Sequence, residues 1–296
     1  MVVGQGLIGA AVRDRLAAAG HPVVAVSRRT DVGGRQQSTD ISTARGRREL
    51  GDLLATGPRQ VILVHGPGDV TWINNNEQQA HETHCGVAEV VAESGVPALL
   101  VSTDNLFPGD RGGYRPTDQV RPSNAYGRVK ADAERILLDG GASLALRVSL
   151  VYGWGGSTGR VSYAQRCLAA ALAGIRMSAP TDQHLTPIHL TDVASVIAAC
   201  GTASKPVVGV RHLAGPDELS RLEFARLAYE LAGADPDLVV PCLRAETDLA
   251  SRPRYSALAG SDFSDVGGLA DWAPLDPRDG LSAMLQEIGR RPAIRQ

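Results

Sequence analysis

The fold of this chain is decided by its opening stretch, Met1-Val2-Val3-Gly4-Gln5-Gly6-Leu7-Ile8-Gly9. A short apolar run leads into a Gly-x-Gly-x-x-Gly sequence, and a helical pattern with apolar residues on one face follows. In such a motif the first glycine makes a tight turn, the second lets backbone approach a pyrophosphate, and the third lets helix and strand pack closely. The motif predicts a dinucleotide-binding βα unit with candidate cofactor contacts at Gly4, Gly6, Leu7, Ile8 and Gly9.

Alternating strand and helix patterns continue through the first half of the chain. Continuous apolar runs predict further strands at 23–26, 61–64 and 98–101, and another strand is predicted at 144–151. Helical periodicity is found at 76–93 and 125–138. Such apolar strands are typical of parallel sheets that helices cover on both faces. The predicted fold class is therefore α/β, a doubly wound parallel (Rossmann) sheet that binds ligands at the carboxyl ends of its strands.

The alternation weakens after Tyr152, which indicates a second, smaller lobe. Helices are predicted at 161–175, 190–199 and 220–233. The last of these has Ser220 and Glu223 at the spacing of a capping box. We expect residues 1–152 to form the dinucleotide-binding domain, with a returning segment near 188–205, and residues 153–187 and 206–296 to form a C-terminal substrate lobe.

Composition narrows the class of protein. The chain has 296 residues and a mass of 31.1 kDa, and its 43% apolar residues suffice for a large core. A formal net charge of −2 gives no reason to expect nucleic acid or an anionic membrane as a partner. The apolar runs are strand-length, no secretory signal precedes Gly4, and the four cysteines lack Cys-x-x-Cys spacing. We expect a reduced, cytoplasmic chain, and the short first strand leaves open a native start upstream of Met1.

The residues after the second predicted strand bear on the choice of cofactor. Ser27, Arg28 and Arg29 stand there, without the acidic residue that holds the ribose 2′-hydroxyl in NAD-dependent folds. An arginine at this place accommodates a 2′-phosphate, so the pattern favours NADPH over NADH. The alternative for the two arginines is solvated surface charge. Asp40 is a further cofactor candidate at the adenine edge, with a turn cap as its alternative.

A tyrosine and a lysine form the candidate catalytic centre. Tyr126 and Lys130 are spaced i, i+4 on a predicted helix, so they lie on one face, one turn apart. A lysine ammonium near a phenol stabilises the phenolate, so that the tyrosine can exchange a proton near neutral pH, and it can also hold cofactor ribose hydroxyls. Thr103 closes the strand that ends at Val101, where a hydroxyl can hydrogen-bond a substrate carbonyl oxygen.

Several segments together resemble one known family. Ser102-Thr103-Asp104-Asn105-Leu106-Phe107 is similar to its S-T-D-x-V-F, residues 122–134 follow P-x-x-x-Y-G-x-x-K-x-x-x-E, and residues 147–153 correspond to R-T-S-W-V-Y-G. Further similar segments lie at 114–118, 182–187, 212–215, 220–233 and 252–258. The order of these motifs resembles the extended short-chain dehydrogenase/reductases, and their details resemble the dTDP-4-dehydrorhamnose reductase (RmlD-like) branch. The resemblance spans nearly the whole chain.

The resemblance implies a ketoreductase that uses NADPH to reduce a nucleotide-linked 4-keto-6-deoxy sugar in deoxysugar biosynthesis. Tyr126 would protonate the keto oxygen, Lys130 would tune Tyr126, and Thr103 would polarise the carbonyl. The candidate substrate-binding residues are Asp104, Asn105, Trp154, Gln183 and Arg252. For Trp154 and Arg252 the alternative is plain packing. The implied partner is a nucleotide sugar, and the oligomeric state stays open, with a homodimer as one alternative.

Three departures from the branch concern the identity of the sugar. Gly4 stands one position later than the first glycine of the family's usual loop, and Pro116 replaces an acid. His65-Gly66-Pro67 stands where the branch often has Asn-Ala-Ala, and His65 and Gly66 are further cofactor candidates. These departures favour a relative from deoxysugar tailoring over the rhamnose enzyme itself.

Several other functions are alternatives to a ketoreductase. Nucleotide-sugar dehydratases resemble Thr-Asp-Glu at this strand end, whereas Asn105 cannot act as a base, so dehydration is disfavoured. An epimerase of the same superfamily and a non-catalytic NADP-binding regulatory subunit stay open as alternatives. His81, His84 and Cys85 share a helix face at a spacing compatible with a metal, but surface or interface side chains are the expected reading. Thr191 or Asp192 is expected to cap a helix.

Overall fold

The apolar runs of the first half form one parallel sheet. The computed structural model describes residues 1–28, 36–66, 68–155 and 161–288. Strands within these ranges are β1 (Val2–Val3), β2 (Ala25–Ser27), β3 (Gln36–Ser38), β4 (Val61–Leu63), β5 (Ala98–Thr103), β6 (Ser143–Val148), β7 (Val151–Tyr152), β8 (Met177–Pro180), β9 (His184–Leu185), β10 (Ile188–His189), β11 (Gly209–Leu213), β12 (Leu219–Ser220) and β13 (Val239–Cys242). Seven of them form the sheet, in the order β11-β6-β5-β4-β1-β2-β3.

Helices alternate with these strands. Within the same ranges they are α1 (Leu7–Ala18), α2 (Ala44–Leu54), α3 (Val70–Asn75), α4 (Glu77–Ser94), α5 (Ala125–Asp139), α6 (Tyr163–Leu172), α7 (Leu190–Thr202), α8 (Arg221–Leu231) and α9 (Pro277–Ile288). Every pairing in the large sheet is parallel, and the strand order reverses between β1 and β4. The predicted doubly wound α/β fold is confirmed, and its reversal point is where such sheets bind ligands.

Successive residues of the central strands are buried on opposite faces of the sheet. Ile62 of β4 packs into a core with α1 and α7, whereas its neighbours Val61 and Leu63 pack into a core with α2, α4 and α5. Side chains alternate across a strand, so burial on both faces requires an unbroken apolar run. This requirement explains why the central strands show no polar alternation in the sequence.

A second apolar core lies in the C-terminal part of the chain. Phe224 and Tyr229 of α8 are fully buried there, among side chains from α6 and α9. The helix begins as the sequence predicts, because Ser220 Oγ accepts from the Glu223 amide at 3.1 Å and the Glu223 carboxylate accepts from the Ser220 amide at 2.7 Å. Small two-stranded sheets, β8 with β13 and β9 with β12, complete this region.

The expected boundary of the smaller lobe is wrong at two places. The sequence predicts that all of residues 206–296 belong to the smaller lobe, whereas β11 pairs with β6 as an edge strand of the large sheet. Phe263, Val266 and Leu269 also pack into the core that contains α1 and α7. A five-residue strand carries no local sign of which sheet it joins, because its partner lies more than sixty positions earlier in the chain.

Two local predictions also need correction. The strand expected over 144–151 is interrupted after Val148. At the interruption the Ser149 hydroxyl donates to Asp104 at 3.1 Å and accepts from the Thr186 amide at 3.2 Å. Helix α7 is capped by neither Thr191 nor Asp192. His189 caps it by accepting from the Thr191 amide at 3.3 Å, and Asp192 instead accepts from the Trp272 indole and the Leu275 amide.

Two observations bear on the expectations about membrane spans and cysteines. Among the helices of the described ranges, none is both long enough and apolar enough to cross a membrane. The four cysteines are free thiols: Cys85, Cys167, Cys200 and Cys242.

Candidate active site

One large cleft opens where β1, β4 and β5 end, and the helices of the C-terminal core form its other wall. Its volume is about 1110 Å³. The sequence candidates that line it are Gly4, Gly6, Leu7, Ile8, Ser27, Arg28, Asp40, His65, Gly66, Thr103, Asp104, Asn105, Tyr126, Lys130, Gln183 and Arg252. A pocket for one drug-sized ligand holds about 300–1,000 Å³, so this cleft is slightly larger than that range.

The glycine loop closes one end of the cleft. Gly4 has φ +98°, and a side chain there would collide with the Val64 carbonyl and the Cα of His65. Gly9 does not line the cleft, since it packs against the Gly4 carbonyl and the Val64 side chain. Gly6 precedes α1 without a side-chain cap, and the first turn carries no acidic residue. The exposed amides of this helix N-terminus therefore fit a pyrophosphate.

The side chains after β2 and β3 line the adenosine end. Arg28 is exposed and lies near Asp40, whereas Arg29 lies outside the described residues. Asp40 Oδ1 accepts from the Ser42 amide at 3.2 Å and from its hydroxyl at 2.7 Å, and these hydrogen bonds hold the Asp40 pKa below its usual range. Asp40 therefore caps a turn and also lines the cleft, so the turn cap and the cofactor contact are not mutually exclusive.

Helix α5 presents the tyrosine and the lysine to the cleft. Asn124 begins this helix by accepting from the Gly127 amide at 2.8 Å. Tyr126 is half-buried in the first turn, and Lys130 is buried one turn later, where its ammonium donates to the Val101 carbonyl at 2.8 Å. Burial lowers the pKa of Lys130 to about 8, against the opposing charges of Glu134 and Cys85. The lysine is therefore held rigidly, and its charge is sensitive to pH.

Thr103 ends β5 within a buried turn that it shares with Asn105. Its hydroxyl donates to Asp104 Oδ1 at 3.2 Å and accepts from both the backbone and the side-chain amide of Asn105, each at 3.2 Å. Asn105 Oδ1 in turn accepts from the Asn124 side-chain amide at 3.0 Å. The hydroxyl therefore has to turn from Asp104 before it can donate to another oxygen.

Asp104 lies at the centre of this hydrogen-bonded turn. Its carboxylate also accepts from the Asn105 side chain at 2.8 Å, from Ser149 at 3.1 Å and from Ser256 at 2.9 Å. Burial raises the pKa of Asp104, and these hydrogen bonds act in the opposite direction. These contacts favour a structural role in which Asp104 holds the turn in place, whereas the sequence predicts substrate binding. The sequence does not indicate Ser149 or Ser256 as partners of Asp104.

Two histidines form the floor of the cleft beside Lys130. The rings of His65 and His84 are buried, with centroids 5.2 Å apart. Burial and the neighbouring His84 and Lys130 hold the pKa of His65 well below its usual range, so its imidazole is neutral. The sequence indicates His84 only as part of a helix face, because no local pattern predicts a contact between α4 and the residues that follow β4.

The opposite end of the cleft is cationic. Arg221 opens α8 and donates to the Gln183 side chain, while its guanidinium stacks over the Tyr163 ring at 4.5 Å. Burial, with the nearby charge of Arg252, lowers the pKa of Arg221 to about 10, so it stays charged at neutral pH. Arg166 of α6 lines the same end. Sequence reasoning found Gln183 and Arg252 but missed Tyr163, Arg166 and Arg221, because their shared position depends on how α6 and α8 pack.

Trp154 is placed away from the described wall of the cleft. Its indole N–H donates to the Met284 carbonyl at 2.8 Å, and its ring packs against the core of α6, α8 and α9. The structure therefore favours a packing role for Trp154, against the expected substrate contact.

The histidines and cysteine of α4 do not converge. His81 faces Asp132 at 3.3 Å on the surface, whereas His84 and Cys85 are buried. Within the described ranges there is no group of three or more His, Cys, Asp or Glu residues that could hold a metal ion.

Comparisons with known proteins agree with this arrangement. Residues 1–289 match the family model described as RmlD substrate binding domain. A dTDP-4-dehydrorhamnose reductase of Mycobacterium tuberculosis (strain CDC 1551 / Oshkosh) is 32% identical over 258 residues, which cover 76% of this chain and 82% of that protein. A dTDP-4-keto-6-deoxy-D-glucose reductase of Streptomyces niveus is 27% identical over 278 residues, 88% of each chain.

A solved structure shows the same fold. The crystal structure of dTDP-4-dehydrorhamnose reductase from Bacillus anthracis str. Ames, in complex with NADP, matches with a TM-score of 0.80 at 20% identity and covers 97% of this chain and 98% of that one. The family model covers nearly the whole sequence, and the mycobacterial relative covers most of it. The chain therefore belongs to the RmlD family of extended short-chain dehydrogenase/reductases.

Proposed function

We propose that this chain is an NADPH-dependent ketoreductase that converts a nucleotide-linked, dTDP-activated 4-keto-6-deoxy sugar to its 4-hydroxy sugar. The observation that carries the proposal is that the glycine loop, Thr103, Tyr126 and Lys130 all line one cleft. The names of the reductase relatives support the substrate class.

The residues present fit a dinucleotide cofactor. The loop at Gly4 and Gly9 is packed so closely that a side chain at either position would collide with the backbone. Arg28 lines the end where a 2′-phosphate would lie. Bound NADPH supplies a hydride, and the protein supplies orientation and electrostatics.

Three side chains would act on the keto group. Tyr126 donates its phenolic proton to the carbonyl oxygen, and the buried ammonium of Lys130 stabilises the phenolate that results. Thr103, once turned away from Asp104, hydrogen-bonds the same oxygen and stabilises the charge that develops on it. The hydrogen bond from Lys130 to the Val101 carbonyl holds the ammonium in position throughout.

The cationic end of the cleft would hold the nucleotide diphosphate. Arg166, Arg221 and Arg252 line it together, and Arg221 donates to an amide oxygen of Gln183. Arg221 is buried, Arg252 is partly buried and Arg166 is exposed. Like charges repel one another, and a dianionic diphosphate would relieve that repulsion. Dehydration of the sugar is less well supported, since an uncharged amide cannot act as a base near neutral pH. The Asn105 amide group donates to Thr103 and Asp104, and its oxygen accepts from Asn124.

The test is the consumption of NADPH, followed by absorbance at the reduced-nicotinamide band. The purified chain is mixed with freshly generated dTDP-4-keto-6-deoxyglucose and either NADPH or NADH. Consumption with NADPH preferred is the expected result. NADPH binding without any consumption would overturn the proposed reduction of this sugar and favour an epimerase, a different keto substrate or a regulatory subunit.

Arg28 is expected to discriminate between the two cofactors. In Arg28→Ala, and more so with Arg29→Ala added, we expect the Kd for NADPH to rise about 10- to 100-fold, because charge-assisted hydrogen bonds to the 2′-phosphate are lost. The Kd for NADH should stay near the wild-type value. The measurement is a fluorescence titration with each cofactor.

A surface arginine provides the control for this prediction. Arg45→Ala removes an exposed guanidinium of α2 that pairs with Glu49, so it changes net charge without touching the cleft. It should leave both Kd values unchanged. Equal losses of NADPH and NADH affinity in the Arg28 variant would contradict the 2′-phosphate contact.

The charge of Lys130 predicts an alkaline limit on activity. Because its pKa is lowered to about 8, the ammonium is present below that pH and is lost as the pH rises through it. We therefore expect kcat/KM to fall above about pH 8. Lys130→Met should be slow at every pH and should lack this limb. A wild-type profile that is flat from about pH 7 to about pH 9.5 would count against the role of Lys130.

A further inference from the structure

His65 is a buried polar side chain that lines the cleft and is only 7% exposed. Among the described residues, neither of its ring nitrogens has a partner at hydrogen-bond geometry, although the His84 backbone lies close enough to oppose the lowering of the His65 pKa. Buried polar groups in folded proteins nearly always find a partner, so a group without one needs an explanation. A ligand in the cleft is the natural source of that partner.

The position of His65 identifies the part of the ligand that it would meet. The Cα of His65 lies directly against Gly4 of the glycine loop, where a pyrophosphate would lie. Lys130 lines the same cleft, and its charge acts on the His65 imidazole. Between the pyrophosphate and the nicotinamide ring of a dinucleotide is the second ribose. We propose that His65 binds the nicotinamide-side ribose through a ring nitrogen, next to Lys130.

The chemistry of the imidazole suits this partner. Burial, His84 and Lys130 all disfavour a second proton on His65, so the ring carries one N–H donor and one acceptor nitrogen. A ribose hydroxyl likewise donates and accepts. The inference rests on the proposed use of a nicotinamide cofactor, and it assigns one specific contact of that cofactor to this chain's own side chain.

Packing alone is the competing explanation. The ring of His84 fills the space beneath Gly66, where any side chain would collide with it, and His65 lies beside that ring. The two explanations predict different variants to be damaging. His65→Leu keeps most of the volume and loses the hydrogen bond, whereas His65→Asn loses volume and keeps a donor and an acceptor.

Direct binding to cofactor fragments separates these explanations without any turnover. Calorimetric titrations of wild type, His65→Leu and His65→Asn use three ligands: NADPH, 2′-phospho-ADP-ribose and adenosine 2′,5′-bisphosphate. The first two contain the second ribose, and the third ends before it. Thermal unfolding of each variant without ligand reports whether it is folded.

The expected result is a selective loss. His65→Leu should weaken NADPH and 2′-phospho-ADP-ribose about 5- to 10-fold, leave adenosine 2′,5′-bisphosphate unchanged, and be largely rescued by asparagine. Equal effects on all three ligands, no effect on any, or an asparagine variant as weak as the leucine variant would overturn the inference.

Wild-type protein that binds none of the ligands would overturn the cofactor assignment as well. The selective pattern without sugar reduction would support the His65 contact and refute only the proposed reaction.

Discussion

Tyr126→Phe is expected to lower kcat about 10²-fold or more while the Kd for NADPH stays near the wild-type value. The variant removes the phenolic proton that is donated to the substrate, and general acid catalysis contributes about 10² to 10⁴ in rate. The ring itself stays, so its packing beside Ala125, Val129 and Ile73 is preserved. Single-turnover absorbance with saturating NADPH and sugar measures the loss directly, and fluorescence titration measures cofactor binding.

Another tyrosine provides the matched control. Tyr229 of α8 is buried away from the cleft and donates its hydroxyl to the Ile175 carbonyl. Tyr229→Phe should reduce stability slightly and leave turnover unchanged, since the same atom is removed at a site without chemistry. A Tyr126→Phe variant that reduced substrate at the wild-type rate would show that another group donates the proton.

The local parts of the site could be predicted from the sequence because short-range geometry determines them. A Gly-x-Gly-x-x-Gly sequence between a strand and a helix permits few backbone paths, and Tyr126 and Lys130 four residues apart on a helix must share a face. The capping box at Ser220 and Glu223 is likewise contained within one turn. In each case the interacting residues are near neighbours in the chain.

The remaining parts depend on tertiary contacts that no local pattern encodes. The partner of Asp104 at Ser256 is 152 residues away, and Arg221 of α8 donates to Gln183, which lies between β8 and β9. The edge position of β11 and the contact of His65 with His84 are of the same kind. For Trp154 the sequence left a substrate contact and plain packing as alternatives, and its contact with Met284 of α9, which favours packing, is also a tertiary one.

Arg147→Met is expected to lower the free energy of unfolding by about 3–5 kcal/mol, the usual effect of removing one partner of a buried ion pair. Arg147 and Glu134 are both only 4% exposed. The guanidinium donates to both Glu134 oxygens, at 2.8–3.2 Å, and to the Pro116 carbonyl at 3.3 Å. Without it the Glu134 carboxylate is left buried without its partner. Urea unfolding followed by circular dichroism measures the change.

Two further variants separate the buried charge from other effects. Arg147→Met combined with Glu134→Gln removes both charges and should recover much of the loss, because no unpaired carboxylate remains. Arg278→Met removes one partner of an ion pair whose side chains are 53% and 56% exposed, and it should cost less than about 1 kcal/mol. A double variant no more stable than the single one would indicate that the contacts of Arg147 with Pro116 and the ring of Phe107 dominate.

The same substitution links the stability of the fold to the chemistry of the cleft. Glu134 lies one turn after Lys130 on α5, and its charge already acts on the lysine. With Arg147 removed, the Glu134 carboxylate loses the buried guanidinium that offsets its charge, and it favours the charged form of Lys130 more strongly. The alkaline limb of kcat/KM should therefore move to higher pH in Arg147→Met and return toward the wild-type position when Glu134→Gln is added. A limb that stays in place in the single variant would show that Arg147 acts on stability alone.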